Sequence, residues 1–268
     1  METDIKVAFE KAFEEGARAN NMCCPKVHVL DVIDSTNDKL RELARAGAIE
    51  GETVIALSQT NGHGRSGRSF YSPAGGNLYI SILLRPDNMD RVGCITPAGA
   101  VAALRAIREV CDKEVYIKWV NDLYYNNRKI CGILAQAFDI GTDSQFVILG
   151  IGINVRGNER DVPEEIRDIY GTLYNTDELS EEEGYLKLSA LAASLHYNYM
   201  NIYSGSDTSY MQEYRESSNV IGKMVSYISG QEEKNIKVVD IDDAGGLVVE
   251  DETGIIRTYR DGEIRIRL

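Results

Sequence analysis

Residues 58–84 read SQTNGHGRSGRSFYSPAGGNLYISILL, and the texture changes twice within them. TVIALSQ (53–59) has strand propensity, and so does NLYISILLR (77–85). Between them, TNGHGRSGRSFYSPAGGN (60–77) is an 18-residue stretch with five Gly and two Arg and no regular period, so it reads as one long loop. Backbone amides and guanidiniums in such a loop can wrap an anion such as a phosphate or an acyl phosphate. The spacing is no common nucleotide fingerprint. GHGRSGR lacks the GK[ST] ending of a P-loop, and a serine-aromatic-proline segment follows where a dinucleotide motif would open a helix. On composition alone, a phosphate-binding loop and a mobile surface loop both fit.

Toward the N-terminus, KVHVLDVI (26–33) predicts a strand. DSTNDKLRELARAG then predicts a helix capped by Ser35, with Asp38 returning the capping-box bond, Gly47 stopping the run, and Leu40, Leu43 and Ala44 as its apolar face. Residues 1–22 read as an acidic amphipathic helix or arm, too short for the several helices of a helix-turn-helix module. Toward the C-terminus, TPAGAVAALRAIREV predicts a buried helix with Thr96 as cap and Pro97 in its first turn. VYIKWVNDLYYNNRKICGILAQAF (115–138) divides into two strands about an NNR turn, which suggests antiparallel pairing, and QFVILGIGINV (145–155) predicts an apolar strand entering a glycine-rich bend. A long helix follows with a Ser180–Glu183 capping box, then a shorter one around 206–217. From Val220 onward, short alternating runs separated by SGQEEK, DDAGG, DETG and RDG turns predict a small all-β barrel. A unit of that size is marginal alone and is expected to pack on the larger one, the boundary lying near 217–221.

The chain has 268 residues, 43% of them apolar, enough for a sizeable core. Its 29 basic and 42 acidic side chains give a net charge of −13, which works against long-range attraction to nucleic acid or anionic lipid. Small ligands or proteins are the expected partners. The five cysteines, at 23, 24, 94, 111 and 131, form an odd set without metal-ligand spacing, and reduced thiols in cytoplasm fit them best. METDIKVAFEKAFEEGARAN has no apolar signal region, and no stretch reaches membrane-spanning length.

No Ser-His-Asp arrangement is attractive, because His28, His63 and His196 fall in a strand, the loop and a helix without a nucleophile elbow. Zinc has no supporting cluster. Lys118 precedes Trp119 and Asn121-Asp122, and Lys129 enters the apolar run ICGIL, where a buried ammonium needs an anionic partner. A bound carboxylate or phosphate would serve; so would surface acids, with Trp119 in the core. Asp122 could hold Mg²⁺, orient a lysine or be a plain turn residue.

Four ordered motifs add a resemblance: STN (35–37), SQTNGHGRSGRSFYSPAGGNLYISILL (58–84), KWVNDLYYNNRKICGIL (118–134) and GIGINV (150–155) resemble successive motifs of biotin protein ligases. GEIRIR (262–267) is similar to the family's C-terminal ending, and the match runs from about residue 28 to 268. It resembles the short, monofunctional form without a DNA-binding domain. The resemblance implies an α+β catalytic domain like those of biotin ligases and class II aminoacyl-tRNA synthetases, with a mixed β-sheet and helices, followed by a small SH3-like β-barrel. The expected division is an N-terminal helix or arm over 1–25, a catalytic domain over 26–218 and the barrel over 219–268. The implied chemistry forms biotinyl-5′-AMP from ATP and biotin with Mg²⁺, then transfers biotin to a lysine of a biotin carboxyl carrier protein or domain.

By the same resemblance, Lys129, Arg65 and Asp122 form the catalytic set, with Asp122 the candidate Mg²⁺ ligand. Biotin would meet Ser35, Thr36, Asn37, Gln59, Gly62, His63, Gly64, Arg65, Lys129, Gly132, Ile133 and Leu134. ATP and the adenylate would meet Arg65, Ser66, Gly67, Arg68, Phe70, Lys118, Asn121, Lys129, Asn154, Arg265 and Arg267. The chain departs from the family pattern where His63 and Ser66 replace arginines, Phe70 replaces Trp, Val120 replaces Pro and Gln136 replaces an acid. Enough cations remain for activity to be expected. A lipoate or other acyl-protein ligase of the same fold, or a non-catalytic biotin-binding protein, are the alternatives. No specific DNA binding or membrane association is expected, and a C2 homodimer and a monomer both fit the length, with a slight preference for the dimer.

Overall fold

A computed structural model describes residues 2–87, 92–158, 162–229, 232–260 and 265–267. Strands β1 (Val27–Ile33), β2 (Thr53–Gln59), β3 (Leu78–Leu84), β4 (Tyr116–Lys118), β5 (Asp122–Tyr125), β6 (Arg128–Phe138) and β7 (Phe146–Ile153) form a seven-stranded sheet in the order β1-β2-β3-β7-β6-β5-β4. β1 and β2 are parallel and every other pairing in this sheet is antiparallel. Helices α1 (Glu2–Asn20), α2 (Thr36–Arg45), α3 (Val92–Cys111), α4 (Glu164–Arg167), α5 (Glu181–Tyr203) and α6 (Tyr210–Glu216) accompany it, and β8 (Arg156–Gly157) and β9 (Tyr174–Asn175) form a short parallel pair.

Side-chain alternation separates the two faces. Leu78, Ile80 and Ile82 of β3 and Val147, Leu149 and Ile151 of β7 enter the main core with buried residues of α1, α3 and α5. Leu83, Phe146 and Ile148 point the other way and pack with Leu40 and Ala44 of α2. Along that second face, bulk gives way to glycine: Phe138↔Phe146 and Gln136↔Ile148 are followed by Leu134↔Gly150 and Gly132↔Gly152. The missing side chains leave a concavity beside the N-terminus of α2. The N-terminal helix is fastened to the body, since the Tyr197 hydroxyl donates to the Phe13 carbonyl at 2.8 Å. Gly16 lets the Tyr197 ring approach so closely that a Cβ would stand 2.5 Å from it.

Three local expectations are corrected. α3 begins at Val92, so Thr96 and Pro97 lie inside it instead of opening it. Pro97 lacks the donor for the fourth-preceding carbonyl, a loss best tolerated near a helix start. Ser35 does cap α2, accepting from Asp38 N at 3.4 Å, but the Asp38 carboxylate turns to His63 at 2.6 Å and Arg41 at 2.8 Å and closes no capping box. The box at Ser180 and Glu183 forms in both directions.

The third correction concerns the barrel. β10 (Met224–Ser229), β11 (Glu232–Ile241), β12 (Leu247–Glu250), β13 (Ile256–Tyr259) and β14 (Arg265–Arg267) form an antiparallel sheet in the order β13-β12-β11-β10-β14. β13 and β14 are its opposite edges, and no ladder joins them among the described residues. The sheet is therefore open, not an SH3-like barrel. Its apolar side chains, Val225, Ile236, Val238, Ile241, Leu247 and Val249, belong to the same buried cluster as α3 and the large sheet. Docking on the larger unit covers the apolar face that closure would otherwise have to cover.

Candidate active site

The glycine-floored concavity is a cleft of about 940 Å³. Its neutral end is built from the start of α2, the end of β2 and the middle of β3. Gln59 Oε1 accepts from Thr36 N at 2.8 Å and from the Thr36 hydroxyl at 3.1 Å, while Gln59 Nε2 donates to Ser72 Oγ at 3.0 Å. Ser81 Oγ stands 2.8 Å from Thr36 Oγ1 and 2.6 Å from Asn37 Oδ1. The Asn37 amide donates to Gln136 Oε1 at 2.8 Å. Ser35, Thr36, Asn37 and Ser81 are all buried. Gly150 makes the arrangement possible, because a Cβ there would lie 2.2 Å from Asn37 Oδ1.

The opposite end is charged. Arg65, Arg68, Lys118 and Lys129 line it, with Asp122 as the one carboxylate among the lining residues. Lys129 Nζ lies 2.7 Å from Asp122 Oδ1, an ion pair held off the best hydrogen-bonding direction. Arg65 donates to Asn121 Oδ1 at 2.7 Å, and Asn121 Nδ2 donates to the Ile133 carbonyl at 2.9 Å. Burial, helped by the nearby charge of Lys129 and opposed by Asp122, lowers the Lys118 ammonium below the ordinary lysine value. Its Nζ lies 5.3 Å from the Tyr124 ring centroid. Neutral polar groups at one end can orient a ligand, and cations at the other can hold a carboxylate or phosphate.

The glycine-rich loop runs between the two ends. Gly64 N donates to the Arg68 carbonyl at 2.7 Å and Phe70 N to the Gly62 carbonyl at 2.8 Å. Ser66 and Gly67 adopt φ of 57° and 72°, the left-handed region that glycine enters without penalty. Phe70 lies over the glycine floor, where a Cβ on Gly152 would meet its ring at 2.4 Å and one on Gly132 at 2.7 Å. His63 lines the cleft while its Nε2 is held by Asp38.

Most of the expected residues thus come together: Ser35, Thr36, Asn37, Gln59, His63, Gly64, Arg65, Ser66, Arg68, Phe70, Lys118, Asn121, Asp122, Lys129, Gly132, Ile133, Leu134 and Asn154 line the cleft. Gly62 packs behind it, where a Cβ would stand 2.6 Å from Ser72 Oγ, and Gly67 is exposed in open space. Ile133 also belongs to the core cluster of the opposite sheet face. The Arg265 and Arg267 side chains, with residues 262–264, lie outside the described residues. Asn154 donates to the Gly171 carbonyl at 3.1 Å, and its buried Oδ1 has no protein partner. Among the described residues no three His, Cys, Asp or Glu side chains converge on a metal position.

Ser81, Ser72, Gly150, Gly152 and Tyr170 were not among the expected site residues. A lone serine in LYISILL and alternating glycines in ILGIGI were available signals of a polar contact and a close approach. Tyr170 had none: it reaches the cleft because Lys129 N donates to the Ile169 carbonyl and Gly171 N to the Lys129 carbonyl. Burial pushes its hydroxyl pKa up to about 12.

A seven-stranded mixed sheet with a two-ended cleft on its glycine face is the build of a mixed α/β small-ligand-binding fold, and the comparisons narrow it. Residues 29–154 match the model of the Biotin/lipoate A/B protein ligase family. The Bifunctional ligase/repressor BirA of Salmonella typhimurium is 32% identical over 250 residues, covering 90% of this chain and 74% of that protein. That of Bacillus subtilis is 38% identical over 144 residues, or 53% of this chain and 44% of the relative, so the chain matches less than half the length of the Bacillus protein. The solved biotin protein ligase from Aquifex aeolicus in complex with biotin and ATP superposes with a TM-score of 0.70 at 27% identity, covering 90% of this chain and 98% of that one. The chain belongs to the biotin protein ligase family.

Proposed function

We propose that the protein is an ATP-dependent biotin protein ligase. It joins the biotin carboxylate to the α-phosphate of ATP with release of pyrophosphate. It then passes the biotinyl group to a lysine of a biotin carboxyl carrier protein or domain with release of AMP. The observation that carries this reading is the two-ended cleft, a buried neutral hydrogen-bonding end joined by a glycine floor to four cations. The Aquifex relative's complex with biotin and ATP supports it.

Thr36, Asn37, Gln59 and Ser81 would bind the ureido end of biotin, with Ser35 fixing the start of α2 that presents two of them. The carboxylate would then lie toward Lys129 and Arg65. In-line attack on the α-phosphorus asks mainly for placement and for cations over the phosphoryl oxygens, and Lys129 and Arg65 provide both. Lys129 would exchange Asp122 for a phosphate oxygen within the same cleft. Lys118, Asn121 and Arg68 would face the polyphosphate, and the unpartnered Oδ1 of Asn154 suits an amino donor such as that of adenine. Closure of the 60–77 loop would shield the mixed anhydride from water.

Mg²⁺ fits in a limited way: Asp122 offers one carboxylate, already beside Lys129, so ATP phosphates would supply most of the coordination, as is usual for this ion. When bound, the ion would neutralise phosphate charge. We take residues 26–218 as the unit that carries the site, between an N-terminal arm over 1–25 and a C-terminal unit over 219–268.

The test is incubation of the purified chain with ATP, Mg²⁺ and either labelled biotin or labelled lipoate, followed by addition of a carrier domain. Biotin-dependent pyrophosphate release and labelling of a single carrier lysine are expected. Accumulation of lipoyl-AMP without biotinyl-AMP would overturn the substrate, and biotin binding without pyrophosphate release would overturn the enzyme.

A further inference from the structure

The open C-terminal sheet meets the catalytic unit through a tight turn, Asp242 to Gly246, between β11 and β12. Asp242 N donates to the Gly246 carbonyl and Gly245 N to the Asp242 carbonyl, both at 2.9 Å. Asp242 Oδ1 accepts from Ala244 N at 2.9 Å and Gly246 N at 2.7 Å, and Arg260 adds an ion pair at 3.0 Å. Gly245 has φ of 79°, and a Cβ there would stand 2.8 Å from Pro97 Cγ, so both conformation and space call for glycine. The turn is therefore stiff, and its Gly245 carbonyl accepts the indole N–H of Trp119 at 2.9 Å.

Trp119 stands directly between Lys118 and the Val120-Asn121-Asp122 segment, and the residue is 6% exposed. The next carbonyl, that of Val120, accepts the Tyr214 hydroxyl of α6 at 3.0 Å. The two residues separating Lys118 from Asn121 are thus each held from outside the large sheet. A buried indole N–H without an acceptor would be costly, so the turn and the indole hold each other in place. Phosphoryl transfer is sensitive to small displacements of the groups that position it.

We infer that Trp119 is a positioning residue through which the Asp242–Gly246 turn sets the placement of Lys118, Asn121 and Asp122. The inference rests on the ligase reading and adds to it a role for the C-terminal sheet exerted through one hydrogen bond.

Trp119 is the single tryptophan of the chain, so its emission reports this contact directly. Asp242→Ala, remote from the cleft, should loosen the turn, shift Trp119 emission to the red and raise its quenching by acrylamide. Trp119→Phe keeps an aromatic ring and removes the donor. It should lower kcat for biotin-dependent ATP–pyrophosphate exchange roughly tenfold, the scale of one lost hydrogen bond, and leave KM for biotin within about twofold. Asp242→Ala should lower kcat similarly alone and add nothing in the Trp119→Phe background, since both act through one contact.

Unchanged emission in Asp242→Ala, unchanged exchange in Trp119→Phe, or losses that multiply in the double variant would each overturn the inference while leaving the ligase reading intact. A wild-type chain without biotin-dependent exchange would overturn the ligase reading and the inference with it.

Discussion

The two ends of the cleft are built on different physical terms. At the neutral end, the Thr36, Asn37, Gln59 and Ser81 groups are tied to one another, and Thr36, Asn37 and Ser81 are buried. At the charged end, Lys129 and Asp122 keep about a quarter of their side-chain surface exposed, 26% and 23%, and are paired to each other. The first end is a buried, mutually hydrogen-bonded surface of the kind that can select a ligand by shape. The second holds Lys129 in a provisional pair with Asp122 that an anion can replace, because partly solvated pairs are weak. On the proposed reading, recognition and chemistry fall to different parts of one cavity.

If that division holds, substitutions at the two ends should separate affinity from turnover. Lys129→Ala should have the largest effect, lowering pyrophosphate release by roughly 10² to 10³ while biotin affinity, measured by calorimetry, changes little. A near-normal rate would remove Lys129 from the chemistry. Gly150→Ala should do the reverse. Its methyl group collides with Asn37 Oδ1, so biotin affinity should fall by about ten- to a hundredfold, with ATP binding retained.

Gln136 tests the network behind the template. Gln136→Leu strands the Asn37 amide and should weaken biotin binding by about 1–3 kcal/mol, whereas Gln136→Glu keeps an acceptor and should stay close to wild type. Equal losses would show that the oxygen is not what matters. Arg65→Ala should release biotinyl-AMP, seen as severalfold more labelling of bystander lysines at the expense of the carrier; unchanged retention would argue against closure of the loop.

The smallest effect is on pH dependence and belongs to the charged end. The Lys118 pKa is lowered chiefly by burial, so from that lowered value up to the ordinary 10.5 the unfolded chain holds more protons than the native one. Stability should therefore rise with pH across that alkaline window. Lys118→Met should flatten the rise in urea midpoints, and an identical slope in the variant would dissociate the effect from Lys118.

Much of this was legible locally. The 60–77 loop, the Ser35 cap, the Ser180 capping box and the β5–β6 turn at Asn126-Asn127 follow from turn chemistry and period within a few residues. The same reasoning misplaced the start of α3, because propensity at Thr96-Pro97 was overridden by a turn of helix before it that the C-terminal sheet packs against. It also closed a barrel that the structure leaves open. Alternation shows that a strand has an apolar face and does not show whether a second sheet edge or a neighbouring unit covers it.

The sequence by itself determined which residues could carry the chemistry: the glycine-arginine loop, the lysines flanking Trp119 and NNR, and the STN and GIGINV segments. Tertiary structure decided what those residues touch. Asn37 meets Gln136 across 99 positions and Trp119 meets Gly245 across 126, distances over which no local period operates. Such pairs depend on sheet register and on how two units dock, and both are set by burial summed over the whole chain.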